Sequence, residues 1–466
     1  MKPVAIVGAG ITGLTAAFRL AEDNIPVIVY EASGHVGGVI RTHREDGYLA
    51  ESGPNAITET SRAITSLIED TGLMRPRIYS NPGASANFLL HHGRLVGAPT
   101  SIPGFITTPL FSLGGKLRAC CEPFIPPHHS QEDETLAAFV TRRLGREFLD
   151  NVIDPFVAGI YAGDPALLSV RQGFPKLSAA EQLHGSLVRA QIFGARARRR
   201  SGEIPKTAAR KFSFDHGLGV LPNRLKERLG HAVRFHMPVK AIQDLGGEWT
   251  IHCPGQPPFF HSAVLLAAPA HKLGNIIFHA HGSSPGALAP LGDIVHPPVA
   301  TVVLGFRRTD VTHPLTGFGF LVPASENRRI LGTIFSSSIF SNRAPSGHVT
   351  LTTFIGGCRN QELALQPHGK IIATALADLQ EMLGITGKPT FQHCTVVPHA
   401  IPQYNVGFAR YKQAMENLES AHPGLFFAGT CKDGIALGNS ITSGHDVARR
   451  IRACLARMPE QAAHAA

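Results

Sequence analysis

The N-terminal stretch constrains this chain more than any other part of it. An apolar run, Val4 to Val7, reads as a buried strand, and Gly8, Gly10 and Gly13 follow at GxGxxG spacing directly before a helical pattern. Each glycine has its own task. Gly8 permits the tight turn, Gly10 lets a pyrophosphate approach the backbone, and Gly13 allows the helix to pack closely on the strand. The helix start, Ile11, Thr12 and Leu14, then faces the phosphates. A second apolar run, Val27 to Tyr30, ends at Glu31 and Ala32, and the Glu31 carboxylate can accept hydrogen bonds from a ribose. A lone GxGxxG is weak evidence, but strand, helix and acid all fall where a dinucleotide motif needs them.

The residues after Glu31 narrow the choice of dinucleotide. Gly37-Gly38-Val39-Ile40-Arg41-Thr42 supplies a second glycine pair that a plain NAD domain does not need. This GG-x-x-R-T element resembles that of flavoproteins of the amine-oxidase superfamily, where it lies along the FAD pyrophosphate. The resemblance implies FAD.

At 466 residues and 43% hydrophobic content, the chain can build two or three domains with proper cores. Apolar runs such as Val264 to Ala270 are far too short to span a bilayer. The first strand begins at Pro3, so no leader is expected. Seven cysteines without CxxC spacing read as reduced thiols of a cytoplasmic protein. The pairs His91-His92 and His128-His129 lack ligand spacing, so no metal site is expected. A net charge of +10 suits an anionic membrane surface or a carboxylated substrate. No zinc-finger spacing, basic helix or aromatic RNA-binding motif points to nucleic acid. The densest basic run, Arg196, Arg198, Arg199 and Arg200 continuing to Lys206, Arg210 and Lys211, reads most plainly as a solvated loop.

The expected fold class is α/β: a Rossmann-like FAD-binding domain, an inserted helical domain, and a second antiparallel-sheet substrate domain. The FAD-binding parts are placed at 1–84, 206–272 and 395–466, the helical membrane or lid insert at 85–205, and the substrate domain at 273–394. A helix is expected over Ser61 to Thr71. In another, Leu136, Phe139, Val140 and Leu144 form a core stripe. Val233 to Ile242 reads as two strands around a turn, and one helix, Ile371 to Leu383, is expected among the later strands.

Further motifs narrow the resemblance. Gly159-Ile160-Tyr161-Ala162-Gly163-Asp164-Pro165 is followed by Leu168-Ser169, and Gly317 to Pro323 by Leu331 to Ser337 and Asn342-Arg343-Ala344-Pro345. With Pro402-Gln403-Tyr404 and the GIALGNSI element from Gly434, they resemble the oxygen-dependent protoporphyrinogen/coproporphyrinogen oxidase family along nearly the whole chain. That resemblance implies FAD contacts at Gly8, Gly10, Gly13, Glu31, Gly38 and Arg41. It puts Gly53, Pro54, Asn55 and Ala56 near the flavin ring, the Val239 backbone near the adenine, and Ile435, Ala436 and Leu437 near the flavin. Leu321, Ile334 and Phe354 match apolar walls that sandwich a tetrapyrrole, and Gly159 matches a position near the macrocycle. Asn55 is the residue assigned to catalysis, as a positioning group, and no residue has to act as a base. One departure stands out: where plant and animal members place an arginine, Asn87-Phe88-Leu89-Leu90 has none, and Arg94 is the nearest.

The implied reaction is oxidation of protoporphyrinogen IX to protoporphyrin IX in haem biosynthesis, with oxygen as acceptor and hydrogen peroxide as by-product. Coproporphyrinogen III oxidation is the alternative. The flavin accepts hydride from a carbon bridge, and the protein orients the substrate and excludes water. Rivals are an amine oxidase, a carotenoid desaturase and a flavin-bearing scaffold without turnover. The implied location is the cytoplasm, peripheral at the cytoplasmic face of the inner membrane. Ferrochelatase is a logical recipient of the product, and a homodimer is compatible with the sequence.

Overall fold

The computed structural model describes residues 1–128, 132–190 and 209–464, so the basic residues from Arg196 to Lys206 lie outside the described residues. Val4–Val7, buried at every position, pairs in parallel with Val27–Tyr30 on one side and Ala263–Leu266 on the other. Val233–Arg234 and Leu425–Phe427 complete a five-stranded parallel sheet. Strands covered on both faces need continuous apolar runs, and VAIV, AVLL and LFF provide them. Helix Ile11–Glu22 and the C-terminal helix Leu437–His464 pack together closely, because a Cβ at Gly444 would lie only 2.5 Å from the Thr12 carbonyl oxygen.

Residues 233–242 depart from the expected pair of strands around one turn. Val233–Arg234 extends the dinucleotide sheet, whereas Ala241–Asp244 joins a separate four-stranded sheet with Trp249–His252, Phe259–His261 and Ile277–His279. The intervening Phe235 to Lys240 is longer than a tight hairpin needs and carries Pro238. Ile277–His279 lies beyond the boundary expected at 272, yet its parallel pairing with Ala241–Asp244 keeps it on the dinucleotide side.

The second region is a seven-stranded sheet in the order Phe391–Val397, Val299–Arg307, His348–Gly356, Ile330–Ile334, Gly319–Leu321, Asn87–His91, Arg94–Gly97. Neighbours are antiparallel except for Gly319–Leu321 with Asn87–His91. The last two strands correct the expected helical range of 85–205: they close the edge of a sheet whose other strands come much later in the chain, a long-range pairing that no local pattern announces. One face buries Val302, Leu304, Phe306, Leu351 and Ile355 in the cluster that includes helix His368–Leu383. Alternate residues turn the other way, and there Val303 and Phe391 pack with Tyr48 and Ala50 of the dinucleotide region.

The helical stretch lies between these parts of the chain. Helix Leu136–Leu144 opens at Thr135, whose hydroxyl accepts the Ala138 N–H, and buries Leu136, Phe139 and Val140 with Val157 and Leu168. Buried Arg143 is held by Glu122 at 2.6 Å, and Glu122 also accepts N–H bonds from Leu187 and Val188. On the outside, helices Ile102–Thr107 and Leu113–Cys120 and the turn at Phe124 expose Ile102, Ile106, Leu113, Leu117 and Phe124.

Candidate active site

Gly8 has φ +107°, a left-handed conformation natural to glycine, and a Cβ at Gly13 would stand 2.1 Å from the Gly8 carbonyl oxygen. Gly10 is different. A Cβ there meets nothing within 4 Å, while a Cβ on Gly38 would come 3.8 Å from the Gly10 Cα. The two glycines thus flank open space at the N-terminus of helix Ile11–Glu22, where unpaired N–H groups and the helix dipole favour an anion. Ile11 and Leu14 turn their side chains into the core, so only their main chain is available there. Thr12 is buried beside Gly429.

The Glu31 carboxylate accepts hydrogen bonds from Ala9 N at 2.9 Å and from Ser33 N and Oγ at 2.8 Å. It is thereby fixed at the strand end, with Ala32 exposed beside it. The Glu31 carbonyl accepts the Met237 N–H at 2.8 Å, which brings the segment leading to half-buried Val239 alongside. Arg41 is exposed and bonds to His35 and the Gly38 carbonyl.

The loop Gly53-Pro54-Asn55-Ala56 is tied to the glycine-pair loop. A Cβ on Gly53 would lie 2.2 Å from the Val39 carbonyl oxygen, and Ser52 N donates to the Arg41 carbonyl at 2.9 Å. Asn55 Nδ2 donates to the Gly53 carbonyl at 3.2 Å. Ile435, Ala436 and Leu437 arrive at the start of the C-terminal helix, where a Cβ on Gly438 would stand 3.3 Å from the Thr58 carbonyl oxygen. Tyr404 fixes that approach by donating to the Thr430 carbonyl and accepting the Gly434 N–H. Burial pushes the Cys431 thiol up to about 12, so it is a neutral, enclosed sulfur.

Sequence reasoning missed Glu51. Its carboxyl is buried, takes a hydrogen bond from Thr42 Oγ1 at 2.7 Å and another from Leu218 N at 2.7 Å. Thr42 Oγ1 in turn accepts the Gly219 N–H at 3.0 Å. The signal was present: an acid closing the apolar run before Gly53, with a threonine closing the glycine-pair element.

Register settles how the apolar residues lie. Leu321 is opposite Gly332, Gly332 opposite Phe354, and Phe354 opposite Thr301, while Ile334 pairs with Gly319 and Thr352. Leu321, Ile334 and Phe354 therefore share one face, opposite to that of helix His368–Leu383. Gly159 is pressed against this face, since a Cβ there would lie 2.3 Å from Leu321 Cδ2. A cavity opens between the face and the Asn55 loop, lined by Asn55, Ala56, Phe318, Ile334 and Phe340, with Glu51 and Arg343 contributing polar groups. Asn87 is opposite Gly319 in the same sheet, and exposed Arg94 lies at the far turn opposite His91.

A glycine cradle at a helix start, an acid fixed at the end of the second strand and a largely apolar cavity beside the Asn55 loop are the features of an FAD-dependent oxidoreductase. Residues 11–452 match the family described as flavin containing amine oxidoreductase, and the chain belongs to that family. It is 32% identical to protoporphyrinogen oxidase 2, chloroplastic/mitochondrial, of Arabidopsis thaliana, covering 95% of this chain and 92% of that protein. It is 31% identical to coproporphyrinogen III oxidase of Bacillus subtilis (strain 168), covering 95% and 96% respectively. A crystal structure from Exiguobacterium sp. 255-15, assigned to the protoporphyrinogen oxidases, superposes with a TM-score of 0.80 at 26% identity over 97% of this chain and 98% of that one. Among the described residues, no helix is long and apolar enough to cross a membrane.

Proposed function

We propose that this flavoenzyme oxidises a porphyrinogen to the porphyrin, with protoporphyrinogen IX as the preferred substrate and molecular oxygen as final acceptor. The observation that carries the reading is the placement of Leu321, Ile334 and Phe354 on one sheet face beside Gly159 and the Asn55 loop. A flat, largely apolar macrocycle matches such a face. Burying a carboxylate without a partner is costly, so an apolar wall favours the substrate with two vinyl groups over the one with four propionates. Relatives bearing both substrate names match this chain at nearly equal identity, so their names do not choose.

FAD, when bound, supplies the hydride acceptor. The chain's own residues do the rest. The Gly10–Gly38 cradle would hold its pyrophosphate and Glu31 its ribose. Asn55, held by its own loop, would orient the reacting carbon. The apolar face would exclude water. The Cys431 thiol is buried and neutral, which favours non-covalent FAD, releasable by acid precipitation. The apolar side chains exposed from Ile102 to Phe124 share this stretch with Lys116 and Arg118, a composition that favours a peripheral site on an anionic membrane for a substrate and product that partition into lipid.

The deciding measurement is kcat/KM for protoporphyrinogen IX and coproporphyrinogen III under identical detergent and oxygen. A preference of about tenfold for protoporphyrinogen, roughly 1.4 kcal/mol in transition-state binding, is expected. The reverse ratio would transfer the assignment to coproporphyrinogen. Anaerobic flavin bleaching by an amine, with none by either porphyrinogen, would move it to an amine oxidase.

A further inference from the structure

The basic run that reads as a solvated loop ends in a residue that is only partly solvated. Lys211 opens the strand Lys211–Phe214, which pairs antiparallel with Ile57–Thr58 and with Arg77–Tyr79. The register sets Lys211 opposite Thr58, just beyond Asn55 and Ala56. Its side chain is half-buried, and its ammonium lies 4.6 Å from the centre of the Phe318 ring. Phe318 lines the cavity with Asn55, Ala56 and Ile334, and packs in one apolar cluster with Ala56, Ile78 and Ile334. The ammonium therefore stands against one of the rings that line the cavity.

The other cations of this small sheet are accounted for. Arg77 pairs with Glu59 at 3.0 Å, and Arg210 stacks on Tyr79, 3.3 Å from the ring centre. The Lys211 ammonium has no carboxylate or hydrogen-bond partner among the described residues and faces the ring of Phe318. Burial lowers its pKa from the ordinary lysine value, the mark of an ammonium stripped of water without a compensating anion. An aromatic face compensates only part of that loss. A bound carboxylate would supply the rest.

We propose that Lys211 anchors a carboxylate of the substrate beside the cavity. The proposal rests on the porphyrinogen reading, because both candidate substrates carry propionates, and it supplies a cation that the strand Asn87–His91 lacks. The Lys211 ammonium makes the ion pair while the apolar face holds the ring, so Lys211 acts in binding and stays apart from the hydride step.

The test uses FAD-loaded enzyme, with wild type, Lys211→Met and Lys211→Arg each assayed on a porphyrinogen and on its methyl ester in the same detergent. Lys211→Met is expected to raise KM for the free acid about tenfold. Its kcat and flavin content should stay unchanged, and KM for the ester should match that of wild type. Lys211→Arg should restore most of the affinity. Titration with the free-acid porphyrin product, followed by fluorescence, should show the same loss in Lys211→Met without turnover. Should methionine prevent folding, Lys211→Gln carries the same comparison. An unchanged KM for the free acid, or an equal rise for acid and ester, overturns the anchor and leaves the porphyrinogen reading standing. Failure of any porphyrinogen to bleach the wild-type flavin overturns both.

Discussion

The parallel dinucleotide sheet and the seven-stranded sheet offer different chemistry. The first offers backbone. At Gly8, Gly10, Gly13, Gly38 and Gly53 the useful property is a missing side chain, and Ile11 and Leu14 of the same motif turn their side chains inward. The second offers side chains: Leu321, Ile334 and Phe354 project from neighbouring strands onto one face, and Leu321 folds over its partner Gly332, 3.0 Å from where a Cβ would stand. A site made of backbone tolerates no added atoms, whereas a wall of apolar side chains can be trimmed. Damage to the two sides should therefore look different.

The largest effect is expected at Gly13. A Cβ there would meet the Gly8 carbonyl oxygen at 2.1 Å, and that atom is main chain, with no flexible end to move aside. Gly13→Ala should purify colourless, with less than about a tenth of the wild-type flavin, because overpacking at such a contact costs about 1–3 kcal/mol or more. Absorbance at the flavin band measures it. Stoichiometric FAD in the variant would mean that the cradle is softer than its geometry implies.

Phe354→Ala should do the converse. Removing the ring takes away about 2 kcal/mol of apolar contact with the substrate, a loss near thirtyfold in kcat/KM. Flavin content should remain that of wild type, since Phe354 belongs to the seven-stranded sheet and not to the glycine loops. If FAD is lost together with activity, the two regions are one mechanical unit and the comparison fails.

The same contrast explains what the sequence disclosed. Backbone-directed chemistry leaves a local trace, so the glycines, Glu31 and the strands around them were legible from spacing alone. So were local patterns such as the stripe Leu136, Phe139, Val140 and the helix Arg62–Asp70 with Ser61 at its cap. The shared face of Leu321, Ile334 and Phe354 came from resemblance, and only register between distant strands explains it. The strands Asn87–His91 and Arg94–Gly97 were read into a helical insert because their partner, Gly319–Leu321, lies more than two hundred residues away. Lys211 was grouped with its charged neighbours because composition cannot tell a strand start from a loop end.

A smaller effect is expected outside the cavity. The exposed side chains Ile102, Ile106, Leu117 and Phe124 form the apolar part of the helical surface. Phe124→Asp should weaken co-sedimentation with anionic vesicles about tenfold, since burying one such ring in lipid is worth about 1.5–3 kcal/mol. Activity on substrate dispersed in detergent should not change. Wild-type protein that never pellets with vesicles, at low or high salt, would remove the membrane from the picture.

The last effect, read as a few degrees in Tm, tests the joint between the two regions. Glu51 ends the strand that carries Tyr48 and Ala50 onto the seven-stranded sheet, and it immediately precedes the loop to Asn55. Burial pushes its carboxyl from 4.5 up to about 7, against the downward pull of the Thr42 hydroxyl, the Leu218 N–H and the nearby Arg343 guanidinium. The unfolded chain releases this proton near 4.5, before the folded chain does. Stability from this group is therefore intact below about 4.5, declines as pH rises, and is fully lost just above 7. The loss is on the order of 3 kcal/mol, a few degrees in Tm for a chain of this size. Glu51→Gln removes the titration and keeps an acceptor for the Leu218 N–H, so its Tm should fall less than that of wild type between pH 5 and 8. Parallel Tm profiles for the two proteins would show that the carboxyl is already ionised in the fold and that Thr42, Leu218 and Arg343 outweigh burial. In that case the joint is an ordinary charged tie, and the two sheets are coupled by charge where burial favours the protonated acid.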